Sequence, residues 1–334
     1  MAAPSNHSLR ALQQALATDR VVVLDGGFAT ELEKDARVQL NDTSLWSAAL
    51  LLPRNAHLQS VVVDAHARYY LAGADVATTV SYQASDEGFR REGVDDHAHV
   101  ERLFARSVEL AVEARDTAWA QLTASSAAGN RFKPLVGASI GCYGAALADG
   151  SEYHGDYGKS KDELVEWHRE RFAFFTECPG ADFLVCETIP CLVEVEAFVQ
   201  LLNEHPSAHA MLAVACRSES ELNNGDAIVH LAPLLAQLKN PSQLLAVGIN
   251  CTPPQFVEGL LRNMDVAFPK VVYPNSGECW DGAAKQWLPA TATGSPSSWD
   301  EFLPKWHAAG ARVFGGCCRT SPADISVMRA HFEQ

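Results

Sequence analysis

Two cysteines stand side by side, Cys317 and Cys318, in RVFGGCCRT (312–320), and a third, Cys251, closes the run LLAVGINC (244–251). Adjacent residues across a trans peptide hold their Cα atoms about 3.8 Å apart, below the ~4.4 Å that a disulfide normally needs, so Cys317 and Cys318 are not a natural bridge. A C-x-x-C redox spacing is absent. Metal binding suits the pattern better: zinc takes thiolates in a tetrahedron, and a catalytic site supplies three protein ligands and leaves one position open. Gly315 and Gly316 are expected to give the chain the backbone freedom to turn both sulfurs toward one ion. The competing reading is packing, since free cysteine is among the most buried residue types.

Three thiolates around Zn²⁺ carry a net charge of about −1, which makes the ion a poor activator of water but a good host for a fourth thiol kept as thiolate. A free thiol with a pKa of about 8.5 is little ionised at neutral pH. The chemistry that follows is alkyl transfer to an incoming thiol.

Such a site needs elements that bring residue 251 to residues 317 and 318. Eight short apolar runs recur along the chain: VVVLDGG (21–27), ADVATTVSY (74–82), PLVGASIG (134–141), ADFLVCETIP (181–190), AMLAVACR (210–217), LLAVGINC (244–251), PKVVYPNSG (269–277) and ARVFGGCC (311–318). Each is apolar on both faces, as a buried parallel strand is. Amphipathic stretches separate them, among them 99–122, 161–178 and 253–264. Eight βα units predict a (β/α)8 TIM barrel spanning 1–334 as a single domain. The alternative is a doubly wound open sheet, but its G-x-G-x-x-G fingerprint is missing after the first run, where DGGFATELE stands. Segments 125–134 and 278–298 read as surface loops.

The chain has 334 residues and a formal net charge of −15, with no Lys/Arg-rich run. Nucleic acid and anionic membrane are therefore not expected partners. No run approaches the ~18 apolar residues of a membrane span, and the N-terminus lacks a signal-peptide pattern, so a cytoplasmic protein is expected. Nine cysteines without a secretion signal point to metal or catalytic use for some of them rather than to a disulfide framework.

Barrel active sites lie at the C-terminal ends of the strands. Those ends carry Asp25, Ser81, Tyr82, Glu187, Thr188, Asn250, Cys251, Tyr273, Asn275, Cys317 and Cys318. The motifs GINC (248–251), GGCC (315–318), DGGFATELE (25–33), TTVSYQAS (78–85), CETIP (186–190) and YPNSGECWD (273–281) resemble, in order and strand context, the homocysteine S-methyltransferase family. The likeness runs from about residue 20 to the end. It implies a barrel that binds Zn²⁺ through Cys251, Cys317 and Cys318 and transfers a methyl group to L-homocysteine, giving methionine. NDTSLWSA (41–48), SEYHGDYG (151–158) and YPNSGECWD are most similar to members that use S-methylmethionine, with S-adenosylmethionine as second donor. The chain ends at Gln334, soon after a final helix, and so is expected to lack the C-terminal extension of the betaine-dependent tetrameric relatives. A monomer or small homo-oligomer is expected.

The resemblance assigns Asp25 and Glu187 to the amino group of homocysteine. Asp25 has a competing reading as a turn cap before GGF; for Glu187 a buried charge would otherwise be costly. The N–H groups of Gly26 and Gly27 are expected to receive the substrate carboxylate, with Asn250 beside them. Trp46, Tyr82 and Asn275 are expected near the donor, Trp46 offering an aromatic face to a sulfonium or else serving as a helix core residue. Three other functions stay open at this stage: a betaine-dependent homocysteine methyltransferase, a zinc- or thiol-binding barrel without turnover, and a metal-free barrel enzyme whose cysteines only pack.

Overall fold

The computed structural model describes residues 7–18, 20–277, 279–281, 286–288 and 299–333. Each apolar run contains one strand: Val22–Val23, Val76–Thr78, Leu135–Gly141, Phe183–Ile189, Ala210–Val214, Leu244–Asn250, Lys270–Tyr273 and Ala311–Phe314. Neighbouring strands are parallel, in the order first, eighth, seventh, sixth and so on to the second. A parallel bridge from Leu24 to Val76 joins the first strand to the second and closes the sheet into a (β/α)8 barrel. The third, fourth and sixth strands are buried along their whole length, which is why they read as unbroken apolar runs.

Helices follow the strands on the outside, including Gln59–Ala72, His97–Ala124, Lys161–Glu177, Leu192–Glu204, Pro254–Asn263, Trp299–Ala308 and Pro322–Phe332. Along His97–Ala124 the buried positions 100, 103, 104, 107, 108, 110, 111, 114, 118 and 122 recur at helical spacing and make one broad stripe facing the core. Lys161–Glu177 starts at a capping box in which Ser160 and Glu163 exchange side-chain and backbone hydrogen bonds. After the fifth strand there is no long helix, only the turns Ile228–His230 and Pro241–Gln243 and the short helix Leu231–Leu235.

One apolar layer lies between sheet and helices, and a second fills the barrel with Val22, Leu24, Val76, Leu135, Val185, Met211, Val271 and Val313. Helix His7–Leu16 adds Leu9, Leu12 and Leu16 to that inner layer, closing the N-terminal end. The floor is also locked by charge. Asp75, at the start of the second strand, accepts from Val23 N–H at 3.0 Å and pairs with Arg131 at 3.4 Å and with Arg329. Its own N–H donates to Val23 O at 2.7 Å.

Two expectations are trimmed. Of run 21–27 only Val22 and Val23 join the ladder as a strand, because the chain turns at the glycines into helix Phe28–Leu32. Segment 125–134 is a largely exposed turn, as read from the sequence. Of segment 278–298 only a hairpin pairing Cys279–Asp281 with Gln286–Leu288 is described, and the remainder lies outside the described residues.

Candidate active site and metal centre

The C-terminal ends of the strands surround a cavity of about 680 Å³, lined by Asp25, Gly26, Gly27, Trp46, Tyr82, Glu187, Cys251, Cys317 and Cys318 among others. That size suits two small substrates together. Cys251 follows the sixth strand and its N–H donates to Tyr273 O at 3.3 Å. Cys317 and Cys318 follow the eighth, held by Cys317 N–H to Pro274 O at 2.8 Å and by Ser276 N–H to Cys318 O at 3.0 Å. The sulfurs of Cys251 and Cys317 each stand 4.0 Å from that of Cys318, and all three lie within 4.8 Å of one another. Thiolates bound at about 2.3 Å to one tetrahedral ion stand about 3.8 Å apart, so this donor set fits a metal with little movement. The Cys318 thiol is already held well below its usual pKa by hydrogen bonds to Cys251 and Cys317.

Gly315 and Gly316 work differently from the expectation. Neither has a positive φ. What they provide is close approach: a Cβ on Gly316 would stand 2.2 Å from Thr320 Oγ1, and one on Gly315 would stand 2.7 Å from Leu24 Cβ. The third glycine of the two cysteine motifs, Gly248, lets the sixth strand pass the seventh, where a Cβ would stand 1.7 Å from Val271 O.

Left-handed backbone does occur nearby, at residues with side chains. Six described non-glycine residues have positive φ, and of these Trp46, Ala148, Thr188 and Cys251 line the cavity while Arg319 adjoins Cys318. Such conformations cost of order 1–3 kcal/mol each and persist where surrounding structure overdetermines them, commonly at functional sites.

Among the acids that line the cavity, Asp25 follows the first strand and Glu187 lies near the end of the fourth. Asp25 is buried, with Oδ2 accepting from Thr78 N–H at 2.8 Å. It therefore fastens the second strand as well as lining the mouth, rather than capping the GGF turn. Burial raises its pKa well above the carboxylate range, the Thr78 hydrogen bond opposing and nearby Glu187 reinforcing. Glu187 accepts from Ser139 Oγ at 2.5 Å. Burial lifts it to about 7, despite that bond and the adjacent Tyr273 hydroxyl.

Three expected contacts take another form. Gly27 N–H already donates to Thr320 Oγ1 at 2.9 Å, so of the two glycine amides it is not the open one. Asn250 is fully buried behind the lining: its side chain accepts from Thr188 N–H and donates to Thr188 Oγ1, both at 2.8 Å. It props the left-handed Thr188 and does not reach the cavity. Asn275 also stands outside the lining, its N–H on Thr252 O at 3.1 Å. Trp46 and Tyr82 do meet, edge to face with centroids 6.3 Å apart, and form an aromatic corner of the cavity.

The sequence reading left Phe28, Thr79, Gln83, Ser139, Glu152 and Tyr153 without roles, and all line the cavity. Phe28 sits in DGGFATELE, Thr79 and Gln83 in TTVSYQAS, and Glu152 and Tyr153 in SEYHGDYG, so the motifs pointed to all of them but Ser139. Cys142, Cys178, Cys186, Cys191 and Cys216 are free and buried. The other described group with metal-ligand geometry, Asp86, His97 and Glu170, is a largely exposed cluster of side chains outside the cavity.

A family model described as homocysteine S-methyltransferase matches residues 22–332. Homocysteine S-methyltransferase YbgG of Bacillus subtilis is 42% identical over 321 residues, 96% of either chain. Homocysteine S-methyltransferase 1 of Arabidopsis thaliana is 43% identical over 311 residues, 92% of this chain and 91% of that one. The crystal structure of the homocysteine methyltransferase MmuM from Escherichia coli, in a metallated form, superposes with a TM-score of 0.79 at 39% identity, covering 97% of this chain and 100% of that one.

Proposed function

This chain belongs to the homocysteine S-methyltransferase family, and from that premise we propose that it methylates L-homocysteine to methionine at a zinc site formed by Cys251, Cys317 and Cys318, with S-methylmethionine as preferred donor and S-adenosylmethionine as the second. The observation that carries this reading is the convergence of three strand-end sulfurs within 4.8 Å at the mouth of one cavity. When bound there, zinc supplies a position at which a fourth thiol is kept as thiolate.

The chain's own residues bind and orient. Asp25 and Glu187 take the ammonium of homocysteine. Burial favours the protonated form of both carboxyls, and an arriving cation restores their charge. The amide of Gly26 is left to the substrate carboxylate. Trp46 and Tyr82 offer ring faces to the donor sulfonium, an attraction of about 0.5–2 kcal/mol. In the transfer the donor's S–CH₃ bond breaks as a new S–CH₃ bond forms on homocysteine. The donor departs as a neutral thioether, so no general acid is needed. Alignment of the two substrates supplies several kcal/mol. No described helix is long and apolar enough to cross a membrane.

The test is methionine formation from homocysteine with S-methylmethionine, S-adenosylmethionine and betaine, before and after zinc removal. S-methylmethionine should be used best and betaine least, with activity lost on chelation and restored by zinc. Cys317→Ala should lose stoichiometric zinc and lower turnover by more than about a hundredfold. Full transfer by a zinc-free protein would overturn the reading.

A further inference from the structure

Among the described acids that line the cavity, Glu152 alone has a buried carboxylate oxygen that meets no hydrogen-bond donor, and Glu33 has Arg319 as a nearby cation. Asp25 accepts from Thr78, Glu187 from Ser139, and Asp149 from Ser151 N–H and Oγ. The Oε2 of Glu152 is buried without a hydrogen bond, and the charge that bears on it is another acid, Asp149. Burial raises its pKa to about 7.

Its backbone is nonetheless fixed. Asn223 Nδ2 donates to Glu152 O at 2.9 Å, and Gly144 passes so close that a Cβ there would stand 2.6 Å from Glu152 N. The preceding helix, Tyr143–Leu147, is anchored by the buried Glu194, which accepts from Tyr143 N–H at 2.6 Å and from Tyr157 Oη at 3.2 Å. Glu152 acts electrostatically on Tyr82, Tyr153 and Cys318. It therefore lines the same cavity as the aromatic corner and the sulfurs and lies within electrostatic reach of both, on the side proposed for the donor.

We infer that Glu152 is a specificity residue for the methyl donor, pairing with the ammonium of an amino-acid sulfonium. The inference rests on the proposed reading of this cavity. Its basis is a count of charges. Homocysteine brings one ammonium, which Asp25 and Glu187 receive. S-methylmethionine and S-adenosylmethionine each bring a sulfonium and an ammonium against one carboxylate, whereas betaine brings a single quaternary cation already balanced by its own carboxylate. A half-buried carboxylate with one oxygen cut off from donors gains most from a methyl donor with a second cation. Because the ammonium keeps its charge through the transfer, this contact stabilises ground and transition states alike and governs KM rather than kcat.

Glu152→Gln, close to isosteric and removing an unpaired acid, should melt no lower than the parent protein. With the zinc-loaded enzyme, the KM for S-methylmethionine should rise about ten- to a hundredfold, with kcat and the KM for homocysteine changed less than about threefold. Glu152→Asp should recover part of the donor affinity. An unchanged donor KM, an equal rise in the homocysteine KM, or a kcat change as large as the KM change would each overturn the inference. If the parent protein itself uses no sulfonium donor, it is the proposed function that fails.

Discussion

The floor and the mouth of the barrel both bury acids, and they treat them in opposite ways. At the floor, Asp75 is enclosed by Arg131, Arg329 and the Val23 amide, partners drawn from the first strand, the approach to the third strand and the last helix. At the mouth, Asp25 and Glu187 receive hydrogen bonds only from neutral groups, and Glu152 Oε2 receives none. Burying a charge is costly unless it is paired. The floor acid carries its cations with it and ties the barrel shut. The mouth acids leave the place of the cation open, which is what a site for ammonium-bearing substrates requires.

The contrast breaks most visibly at the floor. Asp75→Asn takes the buried anion from Arg131 and leaves Arg329 only the exposed Glu333 at 3.6 Å, and should cost roughly 3–5 kcal/mol, a fall in Tm of about 4–7 °C for a chain of this size. Turnover per folded molecule should hold. If thermal melting were unchanged, the floor clamp would be no clamp. The mouth should answer in the reverse sense: Glu187→Gln should raise the KM for homocysteine about ten- to a hundredfold while leaving Tm equal or higher, measured by steady-state kinetics and melting on the same sample. A lower Tm would move Glu187 into the structural class.

The smallest effect is one of pH. In the metal-free protein Glu187 has its folded pKa raised from 4.5 to about 7. Below pH 4.5 both folded and unfolded chains hold the proton. Between 4.5 and 7 only the folded chain does, so this group's contribution to stability is complete below 4.5 and fades as pH rises toward 7. Melts of the parent and Glu187→Gln across that window should therefore diverge in favour of the variant as pH rises. Divergence in the other direction would contradict the burial of the acid.

The eight strands were legible because strands buried on both faces must be apolar throughout, and none of the eight runs lacks its strand. Cys251, Cys317 and Cys318 were legible because polar residues ending such runs point to one rim. What the sequence hid is what lies across the barrel. Nothing in the order of residues says that Asp75 meets Arg329, 254 positions on, or that Asn250 turns its amide to Thr188 instead of into the cavity. The glycines of GGCC suggested conformational freedom, whereas their task is to leave room for Thr320 and Leu24. Glu152 lay in a noted motif, but its lack of a partner is a property of three-dimensional surroundings.

The left-handed backbone at Trp46, Thr188 and Cys251 sets thermal robustness against activity. Glycine adopts that conformation without steric penalty; at Trp46 and Thr188 the ring packing and the Asn250 hydrogen bond outweigh that relief, but at Cys251 selection for heat resistance alone would favour glycine and so remove a sulfur from the mouth. Directed evolution of a hardier variant would erode this catalyst from its own rim unless turnover were selected in every round.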